Sequence, residues 1–202
     1  MMIFLILAAI AGYLLGSLNS SLIVGKFYGV DIRKHGSGNA GTTNTLRTLG
    51  KKAALFVLIG DMLKGILAYL VGFYISGDPM GGMIGGLAAI IGHNWPLYFG
   101  FKGGRGVLTS LAVLLMMDWK IALVLLGIFI IIVALTRYVS LGSIIGAALF
   151  PILSLLMGRD LTHIIFSAII GIMIIILHRD NIKRLLAGTE SKLGAKKQTD
   201  IK

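Results

Sequence analysis

The sequence predicts an all-α polytopic membrane protein with about seven transmembrane helices, and three observations lead to this fold class. Of its 202 residues, 56% are hydrophobic and 13% are charged, whereas about a quarter of a soluble domain is charged. The mean hydropathy is +0.92. The apolar segments are too long, and alternate too little, for the strands of a membrane barrel. In chain order, the segments cover 3–24, 53–76, 80–97, 107–119, 121–136, 139–157 and 161–177.

The third and fourth segments stand apart because the purely apolar part of the fourth, 107–117, is short. As a helix with a rise of 1.5 Å per residue it covers roughly 16 Å, about half of the ~30 Å hydrocarbon core. Two arrangements fit: short tilted helices, or a re-entrant hairpin whose tip lies within the membrane. In both arrangements, the ends of the later segments fall on the same sides of the membrane.

Basic residues predict the orientation, because short cytoplasmic loops are enriched in lysine and arginine. Most of the 19 lysine and arginine residues fall in the stretches 25–52, 98–106 and 178–202, on one side of the predicted bundle. This places the N-terminus outside and the C-terminus in the cytoplasm. The net charge of +11 is therefore expected to face lipid headgroups and anionic substrates, not nucleic acid. We expect one membrane domain over 1–187 and a polar tail over 188–202.

Three polar islands interrupt the apolar sequence, and the predicted topology puts them all on the cytoplasmic side. They are rich in glycine, asparagine, hydroxyl side chains and basic residues. A membrane protein that gathers such loops on one face is expected to bind a phosphate there. The first island covers 37–44 together with Arg47, the second covers 102–106, and the third covers 178–184.

The first island has the composition of an anion-binding turn. Gly38 and Gly41 let the backbone turn and approach a ligand closely, and successive amide N–H groups in such a turn form a nest for an anion. Arg47 can donate two parallel hydrogen bonds to a phosphate. An ordinary polar loop between spans is the alternative. Further donors are the hydroxyls of Ser37, Thr42 and Thr43 and the amides of Asn39 and Asn44.

The second island is a glycine-rich turn with two cations, Lys102 and Arg105. Its part 103–106 directly precedes an apolar segment, where free N–H groups and the helix dipole favour an anion. It lacks the spacing of a nucleotide-binding P-loop, so an ATPase is not indicated. Two basic residues in a cytoplasmic loop are also expected from topology alone. Upstream of this island, a histidine such as His93 is more often a satisfied polar residue than a catalyst.

The third island follows the last apolar segment directly. If 177–187 stays helical, His178 and Asn181 are neighbours at i, i+3. A histidine at the mouth of a site can serve as a base or as a phosphate donor near neutral pH. The alternative is a positively charged juxtamembrane helix on anionic lipid. Glu190 is expected to pair with a basic loop residue and not to react.

Two charged residues lie inside a predicted span. Asp61 and Lys64 are at i, i+3, so an ion pair can lower the cost of burying each. A structural pair and a substrate contact both remain open. Polar residues at the cytoplasmic ends of two segments, which either line a shared polar pocket or bond across helices, are Ser17, Asn19, Ser20, Ser21, Ser140 and Ser143.

Together the islands resemble the bacterial membrane acyl-phosphate:glycerol-3-phosphate acyltransferases. That family has Gly-Ser with a nearby Asn, here over 16–20, and Ser-Gly-Asn-x-Gly-x-Thr-Asn with a trailing Arg, here over 37–47. Its pattern Gly-His-x-x-Pro-Leu-Tyr-x-x-Phe-x-Gly-Gly-(Lys/Arg)-Gly-Val matches 92–107. Its last motif, His-Arg-x-Asn-Ile-x-Arg-Leu-x-x-Gly-x-Glu, matches 178–190. One departure is Thr42, where alanine is commoner.

The resemblance implies seven spans in the bacterial cytoplasmic (inner) membrane and an active site on its cytoplasmic side. It implies transfer of a fatty acyl group from acyl phosphate to the 1-position of sn-glycerol 3-phosphate, which gives lysophosphatidic acid and inorganic phosphate. Besides the two substrates, the implied partners are membrane lipids, with no metal, cofactor, acyl carrier or nucleic acid. The glycine-rich motif is associated in the family with glycerol 3-phosphate. Activity is associated with Ser37, Arg47, His178 and Asn181.

On this basis we expect direct transfer without an acyl-enzyme, because no nucleophile–base pair is evident. The base would be His178 or a phosphate oxygen of the substrate. The expected catalytic residues are Ser37, His178 and Asn181, and the expected acyl-phosphate contacts are Ser37, Gly38, Asn39, Gly41, Thr42, Thr43 and Asn44. The expected glycerol 3-phosphate contacts are Arg47, Lys102, Gly103, Gly104, Arg105, His178, Asn181 and Ser143. The residues expected to have a structural role or to support the substrate-binding residues are Asn19, Asp61, Lys64, His93, Arg184 and Glu190.

Several catalytic patterns are absent from the sequence. The absence of cysteine excludes disulfides, thiolate metal sites and a cysteine nucleophile. There is no H-E-x-x-H metal motif, no G-x-S-x-G elbow, and no H-x-x-x-x-D pattern of the kind found in many soluble glycerolipid acyltransferases. Two other classes stay open: a transporter or exchanger of organic phosphates, and a non-catalytic assembly protein. Acyl-chain preference and oligomeric state are not indicated.

Overall fold

The protein is all-helical in the computed structural model, which describes residues 1–194. The predicted fold class is thus confirmed at this level, and the part of the predicted tail at 195–202 lies outside the described residues. Two short 3-10 turns, Ile32–Lys34 and Leu97–Phe99, accompany the α-helices. The α-helices are α1 Met2–Ser17, α2 Ser20–Phe27, α3 Thr42–Leu49, α4 Lys51–Ser76, α5 Pro79–Asn94, α6 Val107–Met117, α7 Trp119–Thr136, α8 Val139–Leu156, α9 Leu161–Leu177 and α10 Arg179–Leu186.

Among residues 1–194, four helical stretches are long and apolar enough to cross a membrane: Met2–Phe27 (α1 with α2), α4, α7 and α8. A fifth arises if α9 and α10, which meet at a bend of 58°, count as one broken span. Helix α6 is apolar but has 11 residues, as expected for the short fourth segment. The count of seven spans and the orientation of the termini stay predictions.

The described chain forms two compact units, and the first comprises Met1–Met117. Its helices α1, α4 and α5 pack through small residues. A methyl group added to Gly12 would overlap the Gly85 carbonyl, and one added to Gly16 would overlap the carbonyl of Ala89. Such residues let membrane helices approach closely without a hydrophobic driving force between them. This packing explains why the third apolar segment is rich in glycine.

The second unit begins at Asp118 and contains α7 to α10. The side chain of Asp118 caps α7 by accepting from Ile121 N–H at 3.3 Å, and it also pairs with Arg159 Nε at 2.6 Å. Asp160 caps α9 by accepting from His163 N–H at 2.7 Å. Each cap occupies an N–H group that the first helical turn leaves without an acceptor.

Two predicted segments differ from the observed helices. The first segment, 3–24, is two helices, because Asn19 leaves helical geometry and accepts from Leu22 N–H at 3.1 Å to start α2. The end of the first island and the residues after it form α3, Thr42–Leu49, although this stretch was predicted as loop. Gly50, with a φ of 89°, ends α3 before α4. Glycine allows this left-handed backbone, so a short helix fits between two apolar ones.

Candidate active site

Asn44 of the first island is an interior side chain that shapes the loop around it. Its Oδ1 accepts from Ser37 N–H at 2.8 Å, and its Nδ2 donates to the carbonyls of Ile32 and His35 at 3.0 and 2.9 Å. The residue is 1% exposed. Gly38, at a φ of 72°, supplies the turn that the sequence predicts. The structure therefore places Asn44 as a support of the loop, and its amide is already engaged by the protein.

Gly41 differs from expectation, because it begins a helix and does not form a turn. Its φ of −158° and ψ of 168° are extended backbone that any residue adopts. The first hydrogen bond of α3 runs from Thr45 N–H to the Gly41 carbonyl at 3.0 Å. The preceding N–H groups, those of 42–44, therefore belong to a helix start, which favours an anion. The predicted nest is a helix N-terminus.

Side chains with donor groups lie just before this helix start and along α3. Ser37 is exposed, Asn39 and Thr43 are half-buried, and Arg47, in the last turn of α3, is also half-buried. The Oγ1 of Thr42 is buried and has no hydrogen-bond partner among residues 1–194. A buried hydroxyl without a partner is rare in proteins. The Thr42 hydroxyl is thus a candidate ligand contact, as the sequence predicts.

The second island is attached to the end of α5 through its backbone. Gly103 N–H donates to the Asn94 carbonyl at 3.0 Å, and Gly104 N–H donates to the His93 carbonyl at 3.1 Å. These two amides are thus already engaged by the protein, and a contact of Gly103 and Gly104 with glycerol 3-phosphate stays a prediction. The free N–H groups lie further on, in the first turn of α6, whose first intrahelical bond is Ser110 N–H to the Gly106 carbonyl at 2.7 Å.

Gly104 brings the first and second islands together. A methyl group added to Gly104 would overlap both the imidazole of His93 and the carbonyl of Ala40. Only glycine fits where a backbone and a side chain approach this closely. Lys102 is exposed and Arg105 is half-buried beside this contact. Within the first unit, two candidate phosphate-binding segments that are distant in sequence are neighbours.

Arg33 holds the second island from the other side. Its Nη1 donates to the carbonyls of Phe99 and Lys102 at 3.0 and 3.4 Å. Its Nε and Nη2 donate to the two carboxylate oxygens of Asp31, both at 3.0 Å. This side-chain hydrogen bonding lowers the pKa of Asp31 and raises the pKa of Arg33. Neither residue was predicted as part of the site, because the bonds from Arg33 to Phe99 and Lys102 join distant parts of the sequence.

A buried charged group lies behind the same contact. Lys64 Nζ is 2.9 Å from Asp61 Oδ1, 2.8 Å from His93 Nδ1, and donates to the Leu18 carbonyl at 3.3 Å. Asp61, Lys64 and His93 are 1%, 5% and 4% exposed. The predicted ion pair is confirmed. Asn19 Nδ2 donates to the His93 carbonyl at 3.3 Å, so α1 and α2 are joined to the same group.

In the second unit, Glu190 collects three side chains. Its Oε1 accepts from Ser140 Oγ and Asn181 Nδ2, both at 2.6 Å, and its Oε2 accepts from Arg184 Nε at 2.7 Å. Burial raises the pKa of Glu190, but the hydrogen bonds from these partners outweigh it and lower the pKa below its ordinary value. The predicted pairing of Glu190 with a basic residue is confirmed, but the partner, Arg184, lies in helix α10 and not in a loop as expected.

His178 sits at the bend between α9 and α10 and is 3% exposed. Its Nδ1 is 2.8 Å from the carbonyl of Ile174. A carbonyl only accepts, so Nδ1 carries a proton, and in the neutral form of the ring Nε2 is then an acceptor. Asn181, one turn later, is also 3% exposed, and its Oδ1 has no hydrogen-bond partner within the described chain.

The remaining predicted polar residues mostly bond locally. Ser143 Oγ donates to the carbonyl of Val139 in its own helix at 3.0 Å. Ser17 Oγ donates to the Tyr13 carbonyl at 2.8 Å, and the hydroxyl of Ser21 is 3.0 Å from that of Thr45. Ser21 thus bonds across helices, whereas Ser17 and Ser143 donate within their own helices, and a shared polar pocket stays a prediction.

Comparisons with known proteins agree with the motifs. A family model described as glycerol-3-phosphate acyltransferase matches residues 6–188. A glycerol-3-phosphate acyltransferase of Thermoanaerobacter sp. (strain X514) is 48% identical over 198 residues, covering 98% of both chains. One from Clostridioides difficile (strain 630) is 44% identical over 199 residues, covering 96% of this chain and 97% of the relative.

Two solved structures share the fold. One is a crystal structure of PlsY, an integral membrane glycerol 3-phosphate acyltransferase, in its glycerol 3-phosphate form. It has a TM-score of 0.89 and 38% identity, and the match covers 94% of this chain and 96% of that one. The other is PlsY in its lysophosphatidic acid form, with a TM-score of 0.86, 38% identity, and coverage of 94% and 95%.

Proposed function

The chain belongs to the glycerol-3-phosphate acyltransferase family, and from this premise we propose that it acylates the 1-position of sn-glycerol 3-phosphate with acyl phosphate as the donor. The products are lysophosphatidic acid and inorganic phosphate. One structural observation carries the proposal within the first unit: Gly104 of the second island packs against Ala40 of the first. Two segments suited to phosphate thus adjoin, as a reaction between two phosphate-bearing substrates requires.

Each substrate is assigned to one of these segments. The first island, at the start of α3, holds acyl phosphate through Ser37, Asn39, Thr42 and Thr43, while Asn44 keeps the loop in shape. The second island holds glycerol 3-phosphate through Lys102 and Arg105 and through the first-turn amides of α6. Helix N-termini and cations both favour phosphate. Arg47 contributes a further positive charge to glycerol 3-phosphate.

The chemistry needs positioning more than activation. The 1-hydroxyl oxygen of glycerol 3-phosphate attacks the acyl carbonyl carbon, the bond from that carbon to the phosphate oxygen breaks, and inorganic phosphate leaves. Phosphate has a second pKa near 6, so it departs without a strong acid. Bringing two bound reactants together and neutralising their charge supplies most of the acceleration. We therefore infer direct transfer without an acyl-enzyme.

The hydroxyl proton needs an acceptor, and two remain candidates. One is Nε2 of His178, whose acceptor character follows from the bond of Nδ1 to the Ile174 carbonyl. The other is a phosphate oxygen of the substrate. Asn181 keeps the role in activity that the resemblance implies, and Ser143 remains an expected glycerol 3-phosphate contact. The Glu190 cluster fixes Asn181 by the bond at 2.6 Å.

The location follows from the family and from the basic loops. We propose seven spans in the bacterial cytoplasmic membrane, with the N-terminus outside, the C-terminus inside and the active site on the cytoplasmic side. The acyl chain of the donor lies between the membrane-spanning helices, where apolar side chains replace lipid. The orientation is tested by labelling single cysteines placed at Lys34 and Lys102, since external reagent must not reach either.

The decisive experiment mixes purified protein in detergent with acyl phosphate and glycerol 3-phosphate. Lysophosphatidic acid and phosphate must appear without a sealed vesicle, because an enzyme needs no gradient. Activity that exists only as movement of phosphate across vesicles would instead identify a transporter. No activity in either form, with Ser37→Ala affecting only stability, would identify an assembly protein.

A matched pair of variants tests the substrate assignment. Lys102→Ala is expected to raise the KM for glycerol 3-phosphate roughly ten- to hundredfold, because a charge-assisted bond is lost. Lys26→Ala removes an equal charge from exposed α2 and leaves the KM unchanged. Equal KM values for both variants contradict the assignment, and a labelled acyl ester trapped on Ser37 contradicts direct transfer.

A further inference from the structure

We propose that His93 binds glycerol 3-phosphate directly, donating a hydrogen bond from Nε2 to a phosphate oxygen, and that Lys64 and Asp61 are positioning residues that fix the ring in the tautomer required. The inference rests on the proposed function and deepens it. It gives the buried charges of α4 a role in substrate binding.

The tautomer follows from the three contacts of Lys64. An ammonium group has three N–H donors and no acceptor. Lys64 Nζ forms an ion pair with Asp61 Oδ1 at 2.9 Å and hydrogen bonds with the Leu18 carbonyl at 3.3 Å and with His93 Nδ1 at 2.8 Å. Each partner therefore accepts. Since Nδ1 of His93 accepts, the proton of the neutral ring is on Nε2.

Asp61 does not change this assignment. Its Oδ1 is 3.6 Å from His93 Nδ1, beyond hydrogen-bond distance, whereas Lys64 Nζ is at 2.8 Å. The carboxylate instead neutralises the ammonium group, which is 5% exposed. A buried lysine without such a partner would lose its proton. Asp61 thus keeps Lys64 a donor, and Lys64 in turn keeps Nδ1 of His93 an acceptor.

The Nε2 side of the ring faces the second island. Nε2 and Cδ2 are the imidazole atoms that a methyl group on Gly104 would meet, next to the Ala40 carbonyl. Within the described part of the chain, no hydrogen bond to Nε2 is found. An N–H donor held at the junction of two phosphate-binding segments is placed to reach a phosphate oxygen.

A second unpartnered group faces the same turn. Asn94 is 3% exposed, and neither Oδ1 nor Nδ2 has a hydrogen-bond partner among the described residues. A methyl group added to Gly106 would be 2.7 Å from Asn94 Oδ1. Buried amides are almost always hydrogen-bonded. The start of α6 is thus lined by donors that the protein itself leaves unused, as expected of a site that a ligand completes.

Two substitutions of His93 separate binding from structure. In His93→Asn the amide takes the place of Nδ1, so an acceptor for Lys64 is kept and the donor at Nε2 is lost. In His93→Gln the amide reaches the place of Nε2, so the donor is kept and the partner of Lys64 is lost. A purely structural role predicts that His93→Gln is the more damaging variant. A substrate-binding role predicts the opposite order for the KM.

The experiment measures kcat, the KM for each substrate, and the melting temperature of wild type and both variants in detergent. We expect His93→Asn to raise the KM for glycerol 3-phosphate roughly ten- to hundredfold, with less effect in His93→Gln and little change in the KM for acyl phosphate. Equal KM values in the two variants, a larger defect in His93→Gln, or an effect confined to acyl phosphate would overturn the proposal.

A spectroscopic measurement on wild type tests the proposal even when neither variant folds. In wild type labelled with ¹⁵N-histidine, the His93 signals are identified by substituting the other three histidines one at a time. They must show a protonated Nε2 that shifts when glycerol 3-phosphate is added. A protonated Nδ1, or no shift at saturation, would overturn the proposal. Wild type that makes no lysophosphatidic acid would overturn the proposed function, whereas active wild type with these negative results refutes only the role of His93.

Discussion

His93 in the first unit and His178 in the second both stand at the end of an apolar helix, yet they carry their protons on opposite ring nitrogens. Nδ1 of His93 accepts from the Lys64 ammonium, and Nδ1 of His178 donates to the Ile174 carbonyl. The first ring therefore offers a donor at Nε2 and the second offers an acceptor. Similar residues in similar positions thus suit different tasks, binding an anion and accepting a proton.

The carboxylates near these histidines differ in the same way. Asp61 is 1% exposed and pairs with a residue one turn away on the same helix. Glu190 lies after α10 and gathers Ser140, Asn181 and Arg184 from α8 and α10. The Asp61 pair is a local feature inside a span, whereas the Glu190 cluster joins distant parts of the chain. Four predictions test how far this contrast extends.

The largest effect is expected for Lys64→Met. This variant leaves the buried Asp61 without its partner, which typically destabilises a protein by about 3–5 kcal/mol. The melting temperature in detergent measures the loss. Adding Asp61→Asn to the same chain removes the unpaired charge, so the double variant should melt well above the single one. A single variant that melts like wild type would show that Asp61 is not an isolated charge without Lys64.

A smaller loss of stability is expected for Glu190→Gln, because the three partners of residue 190 still have a polar side chain to contact. Weakening hydrogen bonds to a charged group costs about 1.5–3 kcal/mol. We also expect kcat to fall, since Asn181 is no longer held at 2.6 Å from a carboxylate oxygen. Asp180→Asn, which removes an exposed carboxylate from α10, is the matched control. Unchanged kcat in Glu190→Gln would separate the cluster from activity.

The pH dependence of stability should also distinguish Glu190 from a glutamine at the same position. Its folded-state pKa is lower than its ordinary value of 4.5, so its contribution to stability is complete above that value and is lost as the pH falls through the lowered pKa. Wild type should therefore melt higher than Glu190→Gln at neutral pH, and the gap should close only in acid below 4.5. A gap that closes between pH 7 and that value would contradict the lowered pKa.

The smallest change in stability is expected for Asp31→Asn. The Asp31–Arg33 pair is about one-third exposed on both sides, and ion pairs of this kind contribute about 0–1 kcal/mol. We nevertheless expect the KM for glycerol 3-phosphate to rise several-fold, because Arg33 also binds the carbonyls of Phe99 and Lys102. Lys34→Ala, an exposed neighbouring change, should leave the KM unchanged. A KM equal to wild type in Asp31→Asn would mean that the second island holds its shape without the clamp.

Much of the fold was predictable from the sequence, and the differences between the predicted segments and the observed helices have local causes. The apolar segments match α4 to α9 within a few residues, because hydropathy and helix length are local properties. The prediction missed α3, since a short polar helix has no apolar signal. It also missed the break at Asn19, where a side-chain cap to Leu22 starts a new helix inside an apolar run.

The sequence predicted which residues form the candidate site, but not which of their hydrogen-bonding groups are already engaged by the protein. The motifs identified the islands, yet Gly103 and Gly104 use their amides on the carbonyls of Asn94 and His93. Asn44 was expected to meet a substrate, and instead all its contacts go to the loop. Such bonds join residues on different elements, so no spacing rule reveals them.

The amino-acid sequence by itself determined the membrane class, the three islands and the Asp61–Lys64 pair, because composition and the 3.6-residue helical repeat act over short distances. Only the tertiary structure decided that Gly104 packs against Ala40, that Lys64 sets the proton of His93, and that Glu190 holds Asn181. These contacts depend on which helices pack together, and a hydrogen bond forms only when packing brings a donor within about 3 Å of an acceptor.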